Sequence, residues 1–292
     1  MDNRDEVSAF LKSRRDKITP EQAGLPVYGH RRVPGLRRGE VAMLAGVSVE
    51  YYTRLERGNL TGVSDQVLDA LAQALRLDNT ERMHLYDLAR AAGPAPARKR
   101  RPTSTSVRPS LARIIEKIPE LPAFVQNNRL DMLAANAMGR ALYADMYAEP
   151  AWGANTARFA FFSPAAQRFY ADYERITYSA VGALRVEAGR NPYDQELSNL
   201  IGELCTRSET FRRLWGAHDV HVFREGTKRF RHPVVGELEL DHESMVLPDD
   251  SGVGIVVYSA PPGSAAEDGL KLLASWAATQ DQEQDADTDA QA

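Results

Sequence analysis

Residues 37–58 read RRGEVAMLAGVSVEYYTRLERG. Val41, Ala42 and Ala45 recur at one-turn spacing and draw a narrow apolar stripe along a first helix. Small Ala42 lets a second helix come close. Gly46 is free to take the left-handed conformation that ends a helix, Val47 plugs the corner, and Ser48 is a good N-cap for a new start. Tyr52 and Leu55 then bury the second helix on the first. That leaves Val49, Glu50, Tyr51 and Arg54 facing outward, with Arg57 at the end. The stretch reads as helix, tight turn, helix, and its outward face is of the kind a DNA major groove accepts. A plain αα-hairpin has the same spacing, so the flanks decide.

The flanks supply three more amphipathic runs. Residues 1–17 place Val7, Phe10 and Leu11 on one side. Residues 64–77, SDQVLDALAQALRL, start on a Ser cap and carry Val67, Leu68, Leu71, Ala72 and Leu75 at helical spacing. Residues 80–92, TERMHLYDLARAA, end before Gly93-Pro94. Five short helices around EVAMLAGVS (40–48) and Tyr52-x-x-Leu55-Glu56-x-Gly58 resemble the Cro/C1-type (XRE) helix-turn-helix family. The resemblance implies that Val49, Glu50, Tyr51 and Arg54 sit at base edges and that Arg38 clamps phosphate, with Arg37, Ser48 and Arg57 completing the DNA contact. One departure is the loop RRVPGLRRGE, which sets Pro34, Gly35 and four arginines ahead of the motif. Taken as a unit, GLRRGEVAMLAGVSVEYYTRLERG is similar to an actinobacterial subgroup, the MmyB-like regulators.

At 292 residues the chain is long enough for two domains. Residues 1–110 carry 19 Lys and Arg against 13 Asp and Glu, and the remainder 17 against 27. A basic first part joined to an acidic second part suits one piece for a polyanion and another for something else. Charged residues through 1–20 argue against a secretory leader, and no apolar run is long enough to span a bilayer. The single cysteine, Cys205, fits a reducing cytoplasm and a small buried hydrophobe.

GPAPARKRRPTSTSVRPS, residues 93–110, is rich in Pro, Ser, Thr and basic residues and reads as a linker, with RKRR at 98–101 available to a DNA backbone. Beyond it, LARIIEKIP is a short helix, and Asn127-Asn128 turns between two strands with apolar alternation. AMGRALYADM returns to helix. Ser163-Pro164 starts a long helix running to about Glu187, and GRNPYDQ breaks it. Two more helices follow, the second starting on Ser208. Three strand-like runs and a helix over about 264–277 close the domain. The acidic tail has no apolar face and is expected to be disordered. The expected division is therefore an all-α helix-turn-helix domain at 1–92, the linker at 93–110, an α+β domain with an antiparallel sheet at 111–277, and the tail at 278–292.

Chemistry finds little anchor in the second domain. His218, His221, His232 and His242 lack a cysteine pair or an HExxH frame, and Val220 and Val222 place the first two on opposite faces of a strand. No GxSxG elbow, P-loop or strand–GxGxxG–helix unit is present. The expectation is a non-enzyme without metal or cofactor. The order of elements resembles a PAS-like sensor fold, and GRNPYD, SETFRRLWGAHDV, HPVVGELEL and VVYSAPPGS look like the effector domain of the MmyB-like regulators. That resemblance implies a pocket for a mostly apolar small molecule, a fatty acid leading, lined by Phe124, Phe162, Tyr170, Tyr173, Phe211, Trp215, His218 and Phe223. Arg175, Arg185 or Arg190 is placed to hold an acidic head group. The whole reads as a cytoplasmic, nucleoid-associated homodimer on double-stranded DNA, away from membranes. The rival reading is an adaptor whose helix-turn-helix docks a protein partner.

Overall fold

The computed structural model describes residues 3–26, 31, 33, 35–93, 105–220, 225–247 and 252–291. In chain order come α1 (Asn3–Lys17), α2 (Arg38–Leu44), α3 (Val49–Glu56), α4 (Asp65–Ala74), α5 (Asn79–Ala92) and α6 (Pro109–Glu116). Next are β1 (Ala123–Asn127), β2 (Met132–Ala135), α7 (Ala137–Leu142), α8 (Ala144–Tyr147), a 3-10 turn (Pro150–Trp152), α9 (Thr156–Phe162) and α10 (Pro164–Phe169). Then follow α11 (Tyr173–Arg190), α12 (Gln195–Arg207), α13 (Glu209–Gly216), β3 (Glu225–His232), β4 (Gly236–Val246), β5 (Val253–Ser259) and α14 (Ala265–Gln291).

The chain forms two compact units, and the division differs from the one expected at residue 92. The first comprises Met1–Arg100 together with Val181–Gly202 and Arg212–Val222; the second takes Arg101–Ala180, Glu203–Phe211 and Phe223–Ala292. Val186 and Val220 complete the first unit's core, beside Val7, Phe10, Leu11, Val41, Tyr52, Leu55, Leu71, Leu85 and Leu88. A helical domain bounded at residue 92 would lack both valines.

Within this unit the turn after α2 forms as the sequence requires. Gly46 has φ +64°. Its N–H donates to Met43 O (3.2 Å) and the Val47 N–H to Ala42 O (2.9 Å), the paired bonds of a Schellman turn. Tyr51 N–H then donates to Ser48 Oγ (3.1 Å), which caps α3. Ser64 and Asp78 cap α4 and α5 in the same way.

The second unit is built on a five-stranded antiparallel sheet in the order β2-β1-β5-β4-β3. One face carries Phe124, Val256, Tyr258, Leu238, Leu240 and Phe230 into an aromatic core with Tyr143, Phe159, Phe169 and Tyr170. The opposite face of β1 and β5 packs Ala123, Val125 and Val253 on Leu111 and Ile115 of α6. Both faces of β1 are thus covered, which is why it is buried almost throughout instead of alternating. Asn136 fastens these layers. Its Oδ1 accepts from Ala123 N–H (3.0 Å) and Gly139 N–H (2.8 Å), while Nδ2 donates to Ile118 O (2.7 Å) and Leu121 O (2.8 Å).

Two expectations need correction. Ser163 and Pro164 do start a helix, but α10 stops at Phe169 and α11 begins at Tyr173. The backbone between them is drawn to the edge strand: Tyr170 bridges to Phe230, and Ala171 N–H donates to Arg229 O (3.0 Å). Covering β3 in this way satisfies an open sheet edge. At the other end α14 continues to Gln291. The tail at 278–292 holds four Ala and four Gln, which favour helix, against four Asp, and has no Gly or Pro to break it.

Candidate functional site

The outward face of α3 is laid out as the sequence indicates. Ser48, Val49, Glu50, Arg54 and Arg57 are exposed and Tyr51 is half-buried, while Tyr52 and Leu55 are fully buried. The Arg54 guanidinium lies 4.9 Å from the Tyr51 ring centroid, a stacking that holds it over the helix. Arg37 is exposed just ahead of α2, and its N–H donates to Glu40 Oε2 (2.7 Å). Arg31 grips both Glu40 oxygens at 2.8 Å and donates to Gly35 O (2.9 Å). Hydrogen bonds from Arg31 hold the Glu40 carboxyl down at about 2. The arginine-rich loop is thereby tied to α2. Arg38 departs from a simple phosphate clamp, since it pairs with Glu56 while remaining half-exposed.

Glu56 stands in the family signature without an assigned role, yet it organises the motif. It is 3% exposed and also receives Arg15 at 2.5 Å. Arg15 in turn donates to Leu36 O (2.8 Å). The signal was present: Glu56 lies one turn past Tyr52 on the buried stripe, and a carboxylate there requires a cation.

Two residues expected at the ligand, Trp215 and His218, belong instead to the helix-turn-helix unit. Arg185, with no exposed surface, pairs with Glu6, donates to Trp215 O and lies 4.0 Å from the Trp215 ring centroid. Its Nη1 is 3.0 Å from His218 Nδ1, and that nitrogen is 3.7 Å from Glu6 Oε2. Burial works to raise the Glu6 carboxyl, but His218 and Arg185 outweigh it and hold the group at about 2. Arg14 donates to His218 O (3.1 Å) and Asp219 Oδ1 (2.6 Å), and pairs with Glu81. Arg190 reaches Asp87 at 3.0 Å. The stretch around WGAHDV is therefore engaged with α1 and Arg185, and it leaves α13 through a left-handed His218 (φ +53°). Arg185 and Arg190, expected as head-group holders, are engaged there too.

In the second unit, Phe124 and Tyr170 lie in the aromatic core and Tyr173 packs against it, donating to Ala160 O (2.9 Å). Phe162 sits apart, against Trp152 (5.2 Å) and under Arg207, and Phe211 meets Phe161 edge-on at 5.0 Å. Phe223, His221 and the RKRR run lie outside the described residues. An open, largely polar groove of about 1030 Å³ runs along the other side of β3, lined by Gln167, Asp172, Arg175, Thr227, Arg229 and Glu239 among others. Arg175 donates to Thr227 O there. Among the described residues no three His, Cys, Asp or Glu side chains gather as a metal would need, and no helix is long and apolar enough to cross a membrane.

Comparison with known families places two matches on this architecture. A helix-turn-helix domain profile matches residues 6–85, and the profile of the MmyB-like transcription regulator ligand binding domain matches 107–273. No curated protein matches the chain. The second match alone covers more than half of the sequence, and with the helix-turn-helix ahead of it the chain belongs to the MmyB-like transcription regulators, as a DNA-binding regulator with a ligand-binding domain.

Proposed function

We propose that α3 reads operator bases in the major groove, that the chain acts as a homodimer, and that a mostly apolar small molecule in the second domain alters operator affinity. The observation that carries the DNA half is the sidedness of α3: Val49, Glu50 and Arg54 exposed, Tyr52 and Leu55 at zero exposure. Glu50 suits a cytosine amino group and Arg54 a guanine edge, whereas Arg37 and Arg57 flank them as phosphate contacts. Two such helices in a dimer call for half-sites about 34 Å apart, one turn of DNA. The apolar effector, with a fatty-acyl chain leading, is supported by the aromatic cluster around Phe124, Phe169 and Tyr170. It acts through whatever difference in affinity it has for the DNA-competent and incompetent states.

The experiment is competition binding of the full chain to its best duplex and to random duplex, over a range of salt. Arg54→Ala is expected to lose about 1–3 kcal/mol on the best site and little on random DNA. Arg57→Ala is expected to weaken both alike and to reduce the salt slope by about 1. Equal losses on both duplexes for Arg54→Ala would make it a phosphate contact and sink the base-reading assignment.

A further inference from the structure

In the second unit one lysine turns its amine into the core with no carboxylate to meet it. On β3, Thr227 and Arg229 face the groove, while Lys228 and Phe230 share the opposite face with Leu240 and Leu238 across the ladder. Lys228 is part-exposed as a residue, but its Nζ lies 3.1 Å from the Tyr258 hydroxyl and 5.4 Å from that ring's centroid. The Tyr258 hydroxyl is 3.0 Å from that of Tyr143, and both tyrosines are buried. Around them stand the rings of Phe124 and Phe230, at 6.0 and 5.4 Å from Tyr258. His242 also faces Tyr258, 6.0 Å away, with its Nδ1 2.6 Å from Gly226 O.

None of these neighbours is an anion. Arg175, the charged side chain that acts on Lys228, adds a second positive charge. Among the described residues no Asp or Glu pairs with Lys228, and an ammonium drawn toward the core without a counter-charge is destabilised. Burial and Arg175 pull the group down to about 8, in keeping with that deficit. Burial pushes the Tyr143 and Tyr258 phenols up, so both keep their protons. Each hydroxyl both donates and accepts, and Tyr170 also bonds to Tyr143, so once Lys228 donates to Tyr258 the three hydroxyls still have one proton for an outside acceptor. An ammonium and a phenol O–H beside an apolar wall fit one singly charged oxygen acid.

We propose that Lys228, Tyr258 and Tyr143 are the seat for the single carboxylate of an otherwise apolar effector, with the aromatic cluster as the wall for its apolar part. This rests on the ligand-binding reading above and assigns the head-group role to residues other than the three arginines first expected. The Lys228 ammonium at the core side of β3 matches one carboxylate, while Arg175 is held on Thr227 O at the groove side.

The test is calorimetric titration of the full chain with decanoate and with 1-decanol, which match in length and differ in head group. Decanoate is expected to bind at least tenfold tighter. Lys228→Met is expected to bring decanoate to the level of decanol and leave decanol unchanged, and Lys228→Arg to keep most of the preference. Tyr258→Phe, expected to narrow the preference severalfold, serves should the methionine variant melt early. Equal affinity for the two probes in the unaltered chain would overturn the seat and leave an apolar site standing, as would a preference that survives Lys228→Met. Binding of neither probe would overturn the seat and the fatty-acyl reading together.

Discussion

His84 is the least accommodated side chain of the helix-turn-helix unit. It is fully buried, its ring meets Phe10 edge-on at 5.1 Å, and neither nitrogen has a hydrogen-bond partner. Burial holds its imidazole at about 4 against an ordinary 6.5. Between those values the unfolded chain binds a proton that the folded chain refuses, so the contribution is full above pH 6.5 and falls as the pH drops toward 4. Refusing the proton costs roughly 3 kcal/mol by pH 4. Glu6, held at about 2 against an ordinary 4.5, adds its own loss only below pH 4.5. Between pH 6.5 and 5 the two separate, and His84→Leu is expected to flatten the fall in melting temperature there. An unchanged slope would show that some other group sets the acid limb. None of this was legible in the sequence, where His84 is one polar residue in an amphipathic helix. Gly189, over a hundred residues later, faces the ring so closely that a Cβ there would run into it.

Among the elements, those specified by local chemistry were legible. The stop at Gly46, the restart at Ser48, the Ser64 cap and the turn after Asn127 each follow from one or two residues whose backbone preferences leave little choice. Gly58 belongs with them: it closes α3 at φ +90°, and a Cβ there would run into the Arg4 carbonyl of α1. Gly46, at φ +64°, has open space around it. Alanine at Gly46 is therefore expected to cost about 1–2 kcal/mol of left-handed strain. At Gly58 the loss should be larger, because α1 must also move. Thermal melts of the two variants check the order, and an equal or smaller loss at Gly58 would mean that α1 yields freely. What the sequence hid depends on distant partners. The break at Tyr170–Asp172 exists because β3 offers an open edge, and Trp215 and His218 lie in the helix-turn-helix unit, where Arg185 engages both and Glu6 faces His218.

For the molecule as a whole, the division into a basic and an acidic part was visible in the charges, and both family matches follow it. The compact units do not. The helix-turn-helix unit takes Val181–Gly202 and Arg212–Val222 from within the segment that matches the ligand-binding domain. A fragment ending at residue 100 lacks Val186, Val220 and Arg185, and leaves Glu6 without its cation. Experiments on DNA therefore need the full chain. The central claim is that α3 reads a specific operator, and selection from random duplexes by the full chain at moderate salt tests it most directly. The expected result is enrichment of a two-fold symmetric sequence whose half-sites lie about one helical turn, roughly 34 Å, apart. No enrichment at any salt concentration, with binding that falls away uniformly as salt rises, would contradict it and favour a helix-turn-helix that docks a protein partner.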